Sequence, residues 1–242
     1  MTNSGKAEQA ALNNAFWCDA VCRTHGSPGE FREVAWVNTG QVPRFYPNVV
    51  TLAGVGQAAA HRKHIEEILQ AGSLVGAAIK DSFQTLELRE FGFKVLFEEQ
   101  WVHRAAAVPE PEPPVSQVRW EAVTDAAALA DWEAVWSGSP NGAGIFLPAL
   151  LADKDVTVIA AYHEDRIVAG AVAHRAAEAV GLSNVFVPAE VSRQFRSGCV
   201  VRAMDAFPGL PLVGYEAGAE LAEMQAIGFE AVGPLSVWIR AD

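Results

Sequence analysis

The chain has 242 residues, of which 50% are hydrophobic, and it carries a formal net charge of −11. This acidic balance argues against a nucleic-acid-binding protein, because phosphate contacts need clustered Lys and Arg side chains. No apolar run reaches the ~18 residues that a membrane span needs, so we expect no membrane partner. The first residues lack a secretion signal, and the three cysteines are too few for a disulfide framework. Together these features predict a reduced, cytoplasmic protein.

Hydrophobic periodicity and turn residues predict an alternation of helices and strands in the first hundred residues. Apolar side chains at helical spacing predict helices over residues 6–23 and 57–70. Short β-prone runs predict strands over residues 31–37, 48–52 and 74–79. A further short helix is expected from residue 85 to a corner at Gly92-Phe93, and a strand follows as far as residue 104.

A proline-rich segment separates this first part from the rest of the chain. Residues 105–117 contain four prolines and two glutamates. Proline fixes its own φ and lacks a backbone N–H, so we expect an extended, exposed linker that is sensitive to protease. The linker divides the chain into a first domain, residues 1–104, and a second domain, residues 118–242.

The second domain is predicted to be a longer set of the same kinds of element. Strands are expected over residues 118–123, 156–162, 166–174, 182–187 and 210–215. Helices are expected after Thr124 or Asp125, over residues 145–151 and over residues 192–207. The chain then closes with a helix from residue 216, a corner at Gly228-Phe229 and a final strand.

Several residues of the first domain recur in the second domain at a constant spacing. Gly92 and Gly228 are 136 positions apart, as are Asn48 and Asn184. The tripeptide Leu-Val-Gly at residues 74–76 recurs at residues 212–214 with a slip of two positions. This common order and spacing predicts an internal duplication, in which each half contributes a mixed sheet flanked by helices.

The ordered set of elements over residues 118–242 resembles the GNAT acetyltransferase family. The ending over residues 224–240, a helix followed by Gly-Phe-Glu and a strand, is similar to the C-terminal signature of that family. Residues 31–104 resemble a shortened copy. The resemblance implies an α/β fold with a mixed sheet, built as two GNAT-like domains in tandem, of which the first is degenerate. It also implies an acyl-CoA-dependent N-acetyltransferase whose substrate is a small-molecule or protein amine.

The resemblance further implies that acetyl-CoA, or another acyl-CoA, binds in the second domain. In the family the fourth strand separates from the fifth and pairs with the pantetheine arm, which here points to the backbone of Val185 and Val187. The loop that follows holds the pyrophosphate with backbone N–H groups at a helix N-terminus. The corresponding residues here are Arg193, Gln194, Phe195, Arg196, Ser197 and Gly198. If the family pattern begins at Arg193, Arg196 stands where the family has a glycine. If it begins at Gln194, Ser197 and Cys199 stand in the positions of small residues.

The catalytic residues implied by the resemblance are only partly present. Many family members carry a tyrosine four residues before the glycine of Gly-Phe, where it acts as a general acid. That position is Met224 here and Leu88 in the first domain, and neither side chain can donate a proton. Tyr215 and Glu216, at the end of a predicted strand, are the nearest groups able to substitute, unless they form a structural pair.

Two functions of different classes remain open. One is the N-acetyltransferase with acyl-CoA bound in the second domain. The alternative is a non-catalytic GNAT-fold protein that binds a ligand or a partner, which the altered phosphate loop and the missing tyrosine favour. No metal is expected, because His61 and His64 have no evident third ligand. The sequence indicates neither the acceptor nor the oligomeric state.

Overall fold

The computed structural model describes residues 1–70, 77–111 and 118–240. The α-helices in these ranges are α1 (Asn3–Thr24), α2 (Ala58–Gln70), α3 (Ala126–Ser137), α4 (Ser192–Ala206) and α5 (Gly218–Ala226). The strands are β1 (Glu30–Phe31), β2 (Ala35–Val37), β3 (Val49–Thr51), β4 (Ala78–Asp81), β5 (Phe93–Arg104), β6 (Arg119–Ala122), β7 (Val156–His163), β8 (Arg166–Ala176), β9 (Ala179–Phe186), β10 (Leu212–Glu216) and β11 (Glu230–Arg240). In these ranges no helix combines the length and the apolar character that a membrane crossing requires.

All of these strands belong to one mixed sheet, in the order β1-β2-β3-β4-β11-β5-β10-β9-β8-β7-β6. Each half was expected to contribute its own mixed sheet, whereas the structure joins the strands of both into one. The two parts exchange their last strands: β5 lies between β11 and β10, and β11 lies between β4 and β5. The pairs β3–β4 and β9–β10 are parallel, and the pairs that β5 and β11 make are antiparallel.

The helices cover both faces of this sheet. Adjacent residues of a strand point to opposite faces, and they fall into different apolar clusters. Trp36 packs in the cluster of α1 and α3, whereas its neighbours Ala35 and Val37 pack in the cluster of α2. Ile159 packs in the cluster of α4 and α5. We call the face under α1 and α3 the front face and the face under α2, α4 and α5 the back face.

Local sequence explains where several elements begin and end. The Asp125 carboxylate accepts hydrogen bonds from Ala127 N and Ala128 N, both at 3.0 Å, and so caps the start of α3. Gly228, after α5, has a φ of 96°, a left-handed conformation that glycine adopts at little cost. That turn redirects the chain into β11.

The helix expected before Gly92-Phe93 is absent. Residues 85–88 form no helix, and only one 3-10 turn, Arg89–Phe91, precedes Gly92. The Asp81 carboxylate accepts hydrogen bonds from Phe83 N at 3.3 Å and Leu86 N at 2.7 Å. These bonds hold the chain in a turn and remove donors that a helix would need.

Other expected boundaries were shifted by a few residues. The run over residues 31–37 forms the two short paired strands β1 and β2 and not one strand. The strand expected over residues 74–79 begins, within the described residues, at Ala78, because residues 74–76 lie outside them. Residues 105–111 of the expected linker contain no helix or strand, and residues 112–117 lie outside the described residues.

Candidate functional site

The parallel strands β9 and β10 separate after two residue pairs. Leu212 pairs with Val180 and Val213 pairs with Gly181. The later residues of β9 and β10, all of which the structure describes, form no pair between the two strands. A cavity of about 460 Å³ lies at this divergence. It is lined by residues of α1 on the front face and of α4 on the back face. We call it the central cavity.

A bulge in β9 turns the backbone toward this cavity. The register between β8 and β9 shifts between the pairs Gly170–Phe186 and Val172–Ser183. Asn184 lies within the shift, with a φ of 53°, a conformation that is uncommon for residues other than glycine. Its side-chain oxygen is buried without a hydrogen-bond partner. The bulge therefore interrupts the ladder and leaves polar groups at the cavity wall.

Tyr215 stands on the front face with its ring between an indole and an ammonium group. Its ring centroid is 5.5 Å from that of Trp101 in an edge-on arrangement, and Lys80 Nζ is 4.1 Å from the Tyr215 centroid. Lys80 is only 4% exposed and donates a hydrogen bond of 2.8 Å to Asn14 Oδ1. A buried ammonium over an aromatic face is a stabilising cation–π contact.

Glu216 is the carboxyl group of the cavity whose pKa is shifted most. Burial raises the pKa of Glu216 from its ordinary value of 4.5 to about 7, although Arg196 opposes the shift; Glu99 and Glu220 reinforce it. Arg196 donates to Glu216 Oε1 at 3.1 Å. A carboxyl group that titrates near neutral pH can take a proton from an ammonium group and release it again.

Glu99 adds a second carboxyl group to the same cavity. Burial raises the pKa of Glu99 above its ordinary value, an effect that Lys80 opposes and Glu220 reinforces. Its Oε2 atom is buried without a hydrogen-bond partner. Glu99 therefore retains an acceptor for a donor brought in by a ligand.

Arg196, one of the residues assigned to the phosphate-binding loop, binds carboxylates in the structure. Its guanidinium binds Glu216 on β10 and, through Nε at 3.0 Å, Glu223 on α5. The Ser192 hydroxyl donates to the same Glu223 carboxylate. The guanidinium thus ties α4 to β10 and α5 across the back of the divergence, and it is 7% exposed.

The residues predicted to form a phosphate-binding loop lie in α4 and not in a loop. Beyond the first turn of a helix, each N–H is bonded to a carbonyl four residues earlier. The amides of Arg196 to Gly198 are therefore unavailable to a phosphate. The amides of Ser192, Arg193 and Gln194 are in the first turn, and Val191 supplies no side-chain cap to them.

Two of these first-turn residues, Arg193 and Gln194, line a second cavity of about 340 Å³. Its walls include Arg193, Gln194 and Ser197 on one side and Pro109 and Pro111 of the linker on the other. We call it the linker cavity. First-turn amides without a side-chain cap and an arginine at its edge are suited to a phosphate group.

Three other predicted residues take part in apolar packing. Phe195 is 5% exposed, and its ring centroid is 6.1 Å from that of Trp120. A Cβ at Gly198 would come within 2.1 Å of the Trp120 ring, so glycine is required there by packing. Val187 packs in the same apolar cluster as Phe195. Val185, in contrast, lines the central cavity with Tyr215 and Glu216.

The other parallel pair described above, β3 and β4, is closed at its end. Ser82 N donates to Thr51 Oγ1 at 2.8 Å across the ends of the two strands. His61 of α2 bonds the Leu52 carbonyl at 2.5 Å and stacks on Phe83 with centroids 5.9 Å apart. These contacts fill the position where β9 and β10 diverge in the second part.

Sequence reasoning missed the residues that the first part contributes to the central cavity. Asn14, Lys80 and Glu99 come from α1, β4 and β5 and meet Tyr215 only because the strands are exchanged. One signal was present: Lys80 interrupts an apolar strand, and charged side chains are rarely buried without a functional or structural partner.

Comparison with known proteins identifies the fold. No protein-family model and no curated protein matches the chain. A solved GCN5-related N-acetyltransferase from Kribbella flavida is 15% identical, with a TM-score of 0.65 and 96% of each chain covered. One from Sphaerobacter thermophilus is 10% identical, with a TM-score of 0.53 and coverage of 96% of this chain and 92% of that one. A GCN5-related N-acetyltransferase-like protein from Streptococcus suis is 12% identical, with a TM-score of 0.54 and coverage of 98% and 100%. The chain has the mixed α/β fold of GNAT acetyltransferases.

Proposed function

We propose that the protein is an acyl-CoA-dependent N-acyltransferase, with acetyl-CoA as the expected donor and the central cavity as the active site. The observation that carries this proposal is the divergence of β9 and β10 beside Glu216, whose pKa is raised to about 7. The likeness of the fold to GNAT acetyltransferases supports the donor and the reaction type. No group of His, Cys, Asp and Glu in the described ranges is arranged to hold a metal ion.

The donor fits the divergence and the start of α4. The unpaired backbone near the β9 bulge, with Val185, would hold the pantetheine arm. The first-turn amides of Ser192 to Gln194, with Arg193, would hold the pyrophosphate at the linker cavity. Arg196, tied to Glu216 and Glu223, would remain a bridge behind the reacting centre and not a phosphate ligand.

The residues of the cavity can carry the proton transfers of acyl transfer. Glu216 would take a proton from the ammonium group of the acceptor, which frees its lone pair. A bond forms from this nitrogen to the thioester carbonyl carbon, and the bond from that carbon to sulfur breaks. The nitrogen then loses its second proton, and the departing thiolate takes up one proton from the Tyr215 hydroxyl. The proton lost from the nitrogen restores that hydroxyl. The products are an amide, a free thiol and one proton returned to solvent through Glu216.

The alternative is a non-catalytic ligand- or partner-binding protein with this fold. Met224, buried in the core, supplies no general acid, and Arg196 is paired with the two carboxylates of Glu216 and Glu223. Under this alternative an acyl-CoA would bind without release of its thiol for any amine tested.

Amide hydrogen exchange with and without acetyl-CoA tests the proposal. Protection is expected in residues 182–187, 192–194 and 212–216, and not in the closed counterpart at residues 49–51 and 78–81. Adenosine 3′,5′-bisphosphate, which lacks the pantetheine arm, should protect only residues 192–194. An absence of protection at millimolar acetyl-CoA would contradict the proposal, as would protection confined to the first part.

We also propose that the chain arose as a tandem duplication whose last strands are exchanged, with residues 1–104 as the degenerate copy, residues 105–117 as linker and residues 118–242 as the acyl-CoA-binding copy. The support is the matching order of parallel pair, Gly-Phe corner and last strand in both parts. The three cysteines are free and buried, which fits a reducing cytoplasmic location.

A further inference from the structure

Lys80 presents a buried positive charge that forms no ion pair within 4.0 Å among the described residues. Its side chain is 4% exposed, and none of the ion pairs within 4.0 Å in the described part of the chain includes it. Its contacts are the neutral oxygen of Asn14 and the ring of Tyr215. An isolated buried ammonium is costly, and an anionic partner reduces that cost.

Glu99 is the complementary feature in the same cavity. It stands on the front face, where Leu235 of β11 lies opposite it in the sheet. Its Oε2 atom has no hydrogen-bond partner, and Lys80 is too far to form an ion pair with it. The central cavity therefore holds one unpaired cation and one unpaired acceptor at separate positions.

Lys80 also borders a third cavity, which is predominantly apolar. This cavity has a volume of about 350 Å³ and shares Tyr46, Lys80 and Tyr215 with the central cavity. Apart from Arg44, the rest of its lining is apolar and includes Val42, Leu96, Phe97, Val237 and Ile239. We call it the apolar cavity, and Lys80 lies where the two meet.

We propose that the acceptor is an α-amino acid with a large apolar or aromatic side chain, and that it binds across this junction. Lys80 and Asn14 would bind its carboxylate, Glu99 would bind its ammonium beside Glu216, and its side chain would enter the apolar cavity. The substrate class rests on the proposed function, but the binding site itself does not, because it is defined without the acyl donor.

Direct binding to the wild-type protein tests this assignment with three related probes. L-phenylalanine has both charges, 2-phenylethylamine lacks the carboxylate and 3-phenylpropionate lacks the amine. Calorimetry is carried out without a donor and again with saturating CoA. We expect L-phenylalanine to bind roughly ten- to a hundredfold more tightly than either analogue, since each lost charged hydrogen bond leaves a buried group unpaired. Equal affinities, or no binding of L-phenylalanine at millimolar concentration in both conditions, would overturn the proposal.

Two variants separate the roles of the charges. Lys80→Met should remove the preference for L-phenylalanine over 2-phenylethylamine, and Lys80→Arg should keep it. Glu99→Gln should reduce the preference for L-phenylalanine over 3-phenylpropionate and leave the preference over 2-phenylethylamine unchanged. If Lys80→Met fails to fold, the wild-type comparison still decides. If L-phenylalanine binds selectively but its amine is never acylated, the site stands and the proposed enzymatic function fails.

Discussion

Leu235 and Glu99 face each other in the antiparallel pair of β11 and β5, and they are also 136 positions apart in the sequence. An antiparallel pair of strands has a local two-fold axis. An axis that passes between Leu235 and Glu99 therefore superimposes β5 on β11 and β11 on β5. The same spacing separates Gly92 and Gly228, which have φ values of 81° and 96° before their strands. This relationship supports the proposed duplication and sets its axis at the wall of the central cavity, because Glu99 lines that cavity.

Replacing Glu216 should remove the proposed base. We expect Glu216→Gln to lower kcat/KM by roughly 10²- to 10⁴-fold with an accepted amine, the usual contribution of a general base. Because the pKa of Glu216 is about 7, the wild-type rate should rise as the pH increases through about 7, where the carboxyl group loses its proton.

Glu223→Gln is the matched control, since Glu223 binds the same Arg196 guanidinium and does not line the central cavity. This variant should keep the pH-dependent rise in rate. Thiol release from acetyl-CoA, measured from pH 5.5 to 9, gives both profiles. A Glu216→Gln enzyme with an unchanged profile would exclude Glu216 as the base.

Gly198 should matter for stability and not for phosphate binding. A methyl group there would come within 2.1 Å of the Trp120 ring, so Gly198→Ala should destabilise the protein by about 1–3 kcal/mol through overpacking. The double variant with Trp120→Leu should recover part of this loss.

The control for this variant is Gly56→Ala, because a Cβ at Gly56 meets no atom within 4 Å. Urea denaturation measures the free energies of unfolding. If Gly198→Ala is as stable as the wild type and loses acetyl-CoA affinity instead, the packing explanation is wrong.

His174 should make the protein sensitive to mild acid. Burial lowers the pKa of His174 from 6.5 to about 4, although Asp153 and Asp155 oppose the shift. The unfolded chain therefore binds the proton more tightly than the folded one. The contribution of the neutral His174 side chain to the free energy of unfolding is complete above pH 6.5. It falls by at most ~3 kcal/mol as the pH decreases toward 4.

The comparison is between wild type and His174→Gln, with urea unfolding at pH 7.5 and pH 5. The variant should lose roughly 2 kcal/mol less stability between these two values. His163→Gln, at the exposed end of β7, should behave like the wild type. Equal losses in all three proteins would show that His174 does not control the acid response.

Cleavage of the linker should leave the protein assembled. Cuts by a protease are expected within residues 105–117, as mapped by mass spectrometry. The fragments should nevertheless elute together in size-exclusion chromatography, because β11 pairs with both β4 and β5 of the first fragment. Two folded fragments that separate in buffer without denaturant would contradict the strand exchange.

The sequence predicted the elements better than their partners. Tyr215 and Glu216 could be found because a strand end and a following helix are local patterns. Lys80 and Glu99 could not, because they approach Tyr215 through pairing between strands that are far apart in the chain. The prediction of a helix before Gly92 was wrong because of a side-chain contact that the periodicity does not reveal. The Asp81 carboxylate accepts hydrogen bonds from the backbone amides that a helix would use.

The exchange of last strands also has a consequence for synthesis on the ribosome. While β11 is still unmade, the facing edges of β4 and β5 have no strand between them, and both remain open to wrong partners. The first part thus reaches its final sheet only when almost the whole chain has emerged. Folding is expected to be slow, because these contacts span a large sequence separation, and a ribosome-stalled chain ending before residue 230 should remain open to chaperones.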